Sequence, residues 1–200
     1  ALLIAYGNEL TQLGGEFITG TDVGMTTTDL ALMKSARQFL VGFEGDPTTY
    51  TALGVFASIE ATLENLFGSS SIKGRTFAIQ GAGKIGGALI ELLYENATHI
   101  YVSEINSALV APLQERFPRL TFVSTEDIHR TPADIFVPCA LAHAINSRTL
   151  PELTCRAVVG GANNQLESLD IGDQLHARHI LYAPDYCANA GGVMCVYDEY

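Results

Sequence analysis

Six residues, Gly81-Ala82-Gly83-Lys84-Ile85-Gly86, and an acid about 20 residues further on, Glu104, have the types and spacing to hold a dinucleotide. Each glycine has a separate task. Gly81 permits a tight turn, Gly83 carries no Cβ to obstruct a pyrophosphate, and Gly86 lets a helix lie close on a strand. The helix N-terminus beyond them offers free N–H groups and a positive dipole end to phosphate oxygens. Alone this fingerprint is weak, but here it has its context. An apolar run of strand type (76–79) precedes it, a periodic apolar segment follows to Leu93, and a second β-rich run (99–102) leads to Glu104. A carboxylate there accepts hydrogen bonds from a ribose diol and repels a 2′-phosphate, and no Arg or Lys follows until Arg116, so the expectation is NAD rather than NADP. The competing reading is a solvent-facing acid at a strand end.

Other candidate groups are sparser. Asp22, in Thr21-Asp22-Val23-Gly24, stands at an element end where its side chain could serve chemistry, or could simply bond its own turn. His176 and His179 would share a helix face, but no Cys or acid pattern accompanies them, so no metal is expected. Cys139, Cys155, Cys187 and Cys195 form no CxxC pair and read as reduced thiols, which fits the cytoplasm. A net charge of −11 with only 11 scattered Lys and Arg argues against nucleic acid. No apolar run reaches the roughly 18 residues of a membrane span.

The elements that must position these groups follow from periodicity. Residues 1–13 have helical apolar spacing, with Gly14-Gly15 as a stop, and 17–19 read as a short strand. Thr28-Asp29 look like a cap for a helix over 30–39. Gly45-Asp46-Pro47 is a turn, and Thr48-Thr49 open a long helix to Phe67, which Gly68-Ser69-Ser70-Ser71 ends. After Glu104 come a helix (106–117), strands at 120–123, 133–137 and 156–159, a helix (173–178) and a last strand (180–183). Strands alternating with helices predict an α/β fold, a Rossmann-type doubly wound parallel sheet whose ligands lie at the C-terminal strand ends.

Several separated motifs then agree. Thr19-Gly20-Thr21-Asp22-Val23-Gly24, Gly45-Asp46-Pro47 with Thr51-Ala52-Leu53-Gly54-Val55, Gln80-Gly81-Ala82-Gly83, Pro138-Cys139-Ala140-Leu141, Ala162-Asn163-Asn164-Gln165-Leu166 and Ala183-Pro184-Asp185-Tyr186 with Asn189-Ala190-Gly191-Gly192-Val193 resemble the glutamate, leucine, phenylalanine and valine dehydrogenases, nearest the leucine branch. The resemblance implies NAD-dependent oxidative deamination of an L-amino acid, with hydride passing from its Cα to the nicotinamide. It implies that Asp22 is the catalytic aspartate. Thr51, Cys139, Ala140 and Asn163 would line the cofactor, with Gly81, Ala82, Gly83, Lys84, Ile85 and Gly86 at the phosphates and Glu104 at the ribose. Asn163 would also meet the substrate. Val193 and Val196 would border its side chain, their size suiting a leucine- or valine-like substrate, although core packing at a helix start explains them as well. A homo-oligomer is implied for the full-length protein.

The chain departs from the family's pattern in lacking the C-terminal helices that the resemblance implies after Tyr200 and, more seriously, in its lysines. The family's two catalytic lysines, one within a GGGK segment, match nothing here, and Lys34, Lys73 and Lys84 fit neither role. The expected organisation is therefore the end of a substrate domain at 1–30, a remnant of that N-terminal domain, connecting helices at 31–70 and an NAD-binding domain at 71–200. The chain begins at Ala1 without a methionine and reads as a fragment, inactive by itself. The rival reading is a module that holds NAD without chemistry.

Overall fold

The computed structural model describes residues 1–20, 25–41 and 46–199; Asp22 and Gly45 lie outside them. The chain divides into two compact units, Thr48–Gly191 and the pair of segments Ala1–Pro47 and Gly192–Tyr200.

The larger unit is a six-stranded, all-parallel sheet of order β3-β2-β1-β4-β5-β6. Its strands are β1 (Thr76–Gln80), β2 (His99–Ser103), β3 (Thr121–Phe122), β4 (Ile135–Pro138), β5 (Ala157–Val158) and β6 (Leu181–Tyr182). The order reverses between β1 and β4, which makes their C-terminal ends the switch point where a crevice opens. Alternation along β1 explains the layering. Phe77 and Ile79 face a core with Val55, Ile59, Leu63, Leu89, Ile90 and Leu93, whereas Ala78 faces another with Phe136, Ile145, Ile171 and Leu175.

The first core is closed by α3 (Pro47–Phe67) and α4 (Lys84–Tyr94). In α4 the buried residues Gly86, Leu89, Ile90 and Leu93 recur at the helical period. Next comes α5 (Ser107–Arg116), capped by Asn106, whose Oδ1 accepts the Ala108 amide at 3.1 Å. The second core is closed by α6 (Leu169–Ala177) and by two 3₁₀ turns, Ile128–Arg130 and Leu150–Glu152. Two short helices end the chain, α7 (Asp185–Ala188) and α8 (Gly191–Glu199).

In the smaller unit α1 (Leu2–Gln12), α2 (Thr27–Leu32) and a 3₁₀ segment (Lys34–Phe39) enclose Leu10, Leu30, Met33, Ala36 and Leu40. Three local expectations are corrected here. The cap of α2 is Thr26, not Thr28: its hydroxyl accepts the Asp29 amide while Asp29 accepts the Thr26 amide at 2.8 Å, a reciprocal box that needs an acid three residues after the cap. The helix expected over 30–39 breaks at Met33 (φ −91°, ψ 36°) into α2 and the 3₁₀ segment. The strand expected at 17–19 is a single parallel bridge between Thr19 and Leu40. In the larger unit α6 starts four residues before the expected Asp173, and His179 lies beyond it with φ 57°, off the helix face that His176 occupies.

Candidate functional site

The turn between β1 and α4 shows which of its glycines the chain needs for itself. Gly81 has φ 88°, and a Cβ there would press on Ala140 at 3.1 Å. At Gly86 a Cβ would lie 2.0 Å from the Gly81 carbonyl oxygen and 3.4 Å from the Cys139 Cβ, so α4 can sit this close only on glycine. Gly83 differs. Among the described residues, nothing beyond its chain neighbours comes within 4 Å of where its Cβ would be. The residue N-caps α4 without any side-chain hydrogen bond, and the first amides of the helix have no intrahelical acceptor. Open space in front of bare helix amides is a place for an anion, and Lys84, exposed in the first turn, adds a positive charge beside it.

Around this turn the other strand ends are assembled through the backbone. The Gly81 amide donates to Ser103 of β2 at 2.8 Å, and the Cys139 amide donates to Gln80 of β1 at 2.8 Å, so the ladders run one residue past the strands. Glu104, directly after β2, accepts the Ala82 amide on Oε2 and the Asn106 amide on Oε1, each at 2.7 Å. One lone pair per oxygen stays open for a diol. Ile85 reaches under the β5 loop, where its Cγ2 is 2.6 Å from the Cβ position of Gly161.

The loops after β4, β5 and β6 knit into one floor. Ile145 and Leu166 form a parallel bridge, and the His143 amide donates to the Asn164 carbonyl at 2.8 Å. Gln165 is fully buried, its Nε2 donating to the Ala162 carbonyl at 2.9 Å and its amide to Asp185 Oδ2 at 3.2 Å. Asn163 is exposed, and Asn189 donates to its Oδ1 at 2.6 Å, which turns the Asn163 NH2 outward as a donor. Thr51, buried in α3, lies under the segment that follows α7: the Cβ position of Gly191 is 2.0 Å from the Tyr50 carbonyl and 3.3 Å from the Thr51 amide nitrogen. Burial pushes the Cys139 thiol up to about 12, only partly offset by the Gly161 backbone amide.

Thr51, Gly81, Ala82, Gly83, Lys84, Ile85, Gly86, Glu104, Cys139, Ala140 and Asn163 thus all belong to the sheet unit, most of them at its C-terminal strand ends. Val193 is exposed and Val196 half-buried on α8, in the smaller unit. Asn189 and Asp185 carry tasks that the sequence reading did not assign. Both stood inside quoted motifs, but only side-chain pairing across 20 or more residues reveals what they hold. The donor set fits a dinucleotide: bare helix amides for phosphates, a carboxylate for a ribose diol, a glycine whose Cβ position is open among the described residues.

Comparison with known proteins bears on the family and the fold. The family model described as glutamate/leucine/phenylalanine/valine dehydrogenase matches residues 42–113 and 113–200. A phenylalanine dehydrogenase from Lysinibacillus sphaericus is 41% identical over 100% of this chain and 55% of its own length. A leucine dehydrogenase from Geobacillus stearothermophilus is 37% identical, over 100% and 56%. The solved L-tryptophan dehydrogenase from Nostoc punctiforme superposes with a TM-score of 0.83 at 38% identity, over 99% of this chain and 58% of that one. The chain spans little more than half the length of these relatives. By motif, fold and family match, the chain belongs to the glutamate/leucine/phenylalanine/valine dehydrogenase family.

Proposed function

We propose that this chain is the cofactor-binding part of an NAD-dependent dehydrogenase that oxidatively deaminates a hydrophobic L-amino acid, leucine- or valine-like by the size of Val193 and Val196. The observation that carries the reading is Gly83: Gly81 and Gly86 are demanded by contacts inside the chain, whereas among the described residues none beyond its chain neighbours crowds Gly83, which supports a bare Cα kept for a ligand at this helix start. Relatives named for phenylalanine, leucine, valine and tryptophan dehydrogenases support the substrate class.

The nicotinamide, when bound, supplies the carbon that accepts the substrate's Cα hydride. The chain's own residues do the holding. Gly83 and the α4 amides take the phosphates, Glu104 takes the ribose diol and disfavours a 2′-phosphate, and Ala140 and Cys139 wall the turn. Asn163, oriented by Asn189, offers its NH2 to nicotinamide or substrate, and Asp22 moves a proton at the substrate nitrogen. No lysine supports the chemistry from within this sequence. Lys73 lies in the turn before β1, at the opposite end of the strands from the glycine turn. Transfer needs a cation for the substrate carboxylate and a closed, dry site that holds the reacting atoms roughly 3 to 3.5 Å apart.

The test is NADH formation with leucine, valine, phenylalanine and glutamate. The chain alone should show none. A longer protein that carries the family's lysine segment should turn over, and Asp22→Asn in it should cost about 100- to 10,000-fold in rate with cofactor affinity held. Turnover by the chain alone, abolished by Asp22→Asn, would contradict the division of labour.

A further inference from the structure

Glu104 has a use in the cofactor-free chain. β1 ends at Gln80, opposite Ser103, and the Gly81 amide makes the last ladder bond to Ser103. The next amide, that of buried Ala82, has no ladder acceptor left, and a buried N–H without a partner costs about 1 to 3 kcal/mol. Glu104 Oε2 supplies the acceptor at 2.7 Å, while Oε1 takes the Asn106 amide, also at 2.7 Å. One carboxylate therefore ties the β1–α4 turn to the β2–α5 turn, with two charge-assisted bonds that fix its plane.

We infer that Glu104 is a positioning residue for the phosphate turn as well as the ribose acceptor, so that the two halves of the adenylate site are mechanically coupled. The inference rests on the dinucleotide reading above. Two consequences follow. Ala82 stands between Gly81 and Gly83, so loss of the carboxylate leaves the phosphate cradle itself without its strut, even for a ligand that presents no hydroxyl to Glu104. The carboxylate also cannot swing aside for a 2′-phosphate without breaking both backbone bonds, which makes rejection of NADP steric and structural as well as electrostatic.

The discriminating probe is NAD lacking both the 2′- and the 3′-hydroxyl of its adenosine ribose, the diol that Glu104 would accept. Calorimetric titrations of the parental chain, Glu104→Gln and Glu104→Ala with NAD and with this dideoxy analogue form a cycle between the side chain and the diol. Glu104→Ala should weaken the dideoxy analogue by roughly tenfold or more, the worth of a hydrogen bond to a charged group. Glu104→Gln, which keeps one acceptor oxygen, should fall between. Amide exchange at Ala82 in the ligand-free variant should quicken while exchange in the interior of β4 stays as in the parent. Dideoxy-analogue affinity unchanged in Glu104→Ala, with NAD affinity reduced, would assign Glu104 to the diol alone and overturn the inference while leaving the dinucleotide reading intact. A parental chain that binds neither NAD nor the analogue would overturn that reading, and this inference with it.

Discussion

Gly83 and Gly86 are the same residue type three positions apart, yet the chain constrains them oppositely. A methyl group at Gly86 would collide with the Gly81 carbonyl at 2.0 Å, backbone against backbone, so α4 must move off the sheet. Gly86→Ala should cost about 1 to 3 kcal/mol of stability, the usual range for overpacking, and should remove NAD binding with it. At Gly83 the methyl meets none of the described residues beyond its chain neighbours. Gly83→Ala should leave the melting temperature within a few degrees of the parent, since an N-cap glycine is worth only about 1 kcal/mol, but should lower NAD affinity at least tenfold by filling the phosphate position. Thermal melts paired with titrations separate the two variants. Equal affinity for NAD in Gly83→Ala and parent would mean that no phosphate lies against that Cα.

At the scale of elements, the strands that wall the crevice are flanked by groups held in their protonated forms. Burial raises the Cys139 thiol after β4 to about 12, the Cys155 thiol before β5 to about 11 and the Tyr182 hydroxyl of β6 to about 12. For each the folded pKa exceeds the unfolded one, so the unfolded chain loses its proton first and stability falls as pH rises. The contribution is whole below about pH 9, the ordinary thiol value, and is lost progressively toward 11 to 12. For well-buried Cys155 the loss at pH 10 is about 1.4 kcal/mol. Melting temperature followed from pH 8 to 11 should decline from about pH 9, and less steeply in Cys155→Ala after allowing for that variant's lower starting stability. A flat profile would show that these thiols reach water in the folded state.

At the scale of the whole molecule, what the sequence disclosed was whatever depends on local pattern. Strand positions, the long α3, the glycine turn and the sheet class were legible because a two-residue alternation, a 3.6-residue period and glycine spacing are written in contiguous residues. Strand lengths were not. β3, β5 and β6 shrink to two residues each where four were expected, because ladder length depends on the neighbouring strand and not on the run itself. The break at Met33 escaped for the same reason, as the apolar spacing of 30–39 is helical throughout and packing in the smaller unit decides the kink. In the site, Gly81 and Gly86, whose reasons lie in a turn and a close helix approach within the chain, were legible in the sequence. Residues that act through a partner far along the chain, Asn189 on Asn163, Asp185 on Gln165 and Glu104 on Ala82, became legible only in three dimensions.

The central claim, that the C-terminal crevice of this sheet is built for NAD, is tested most directly by calorimetric titration of the chain with NAD and NADP at equal ionic strength. The account predicts saturable one-to-one binding of NAD and affinity for NADP lower by at least about tenfold, the worth of one unpaired charge against the Glu104 carboxylate. NADP bound as tightly as NAD, or neither bound, would contradict it.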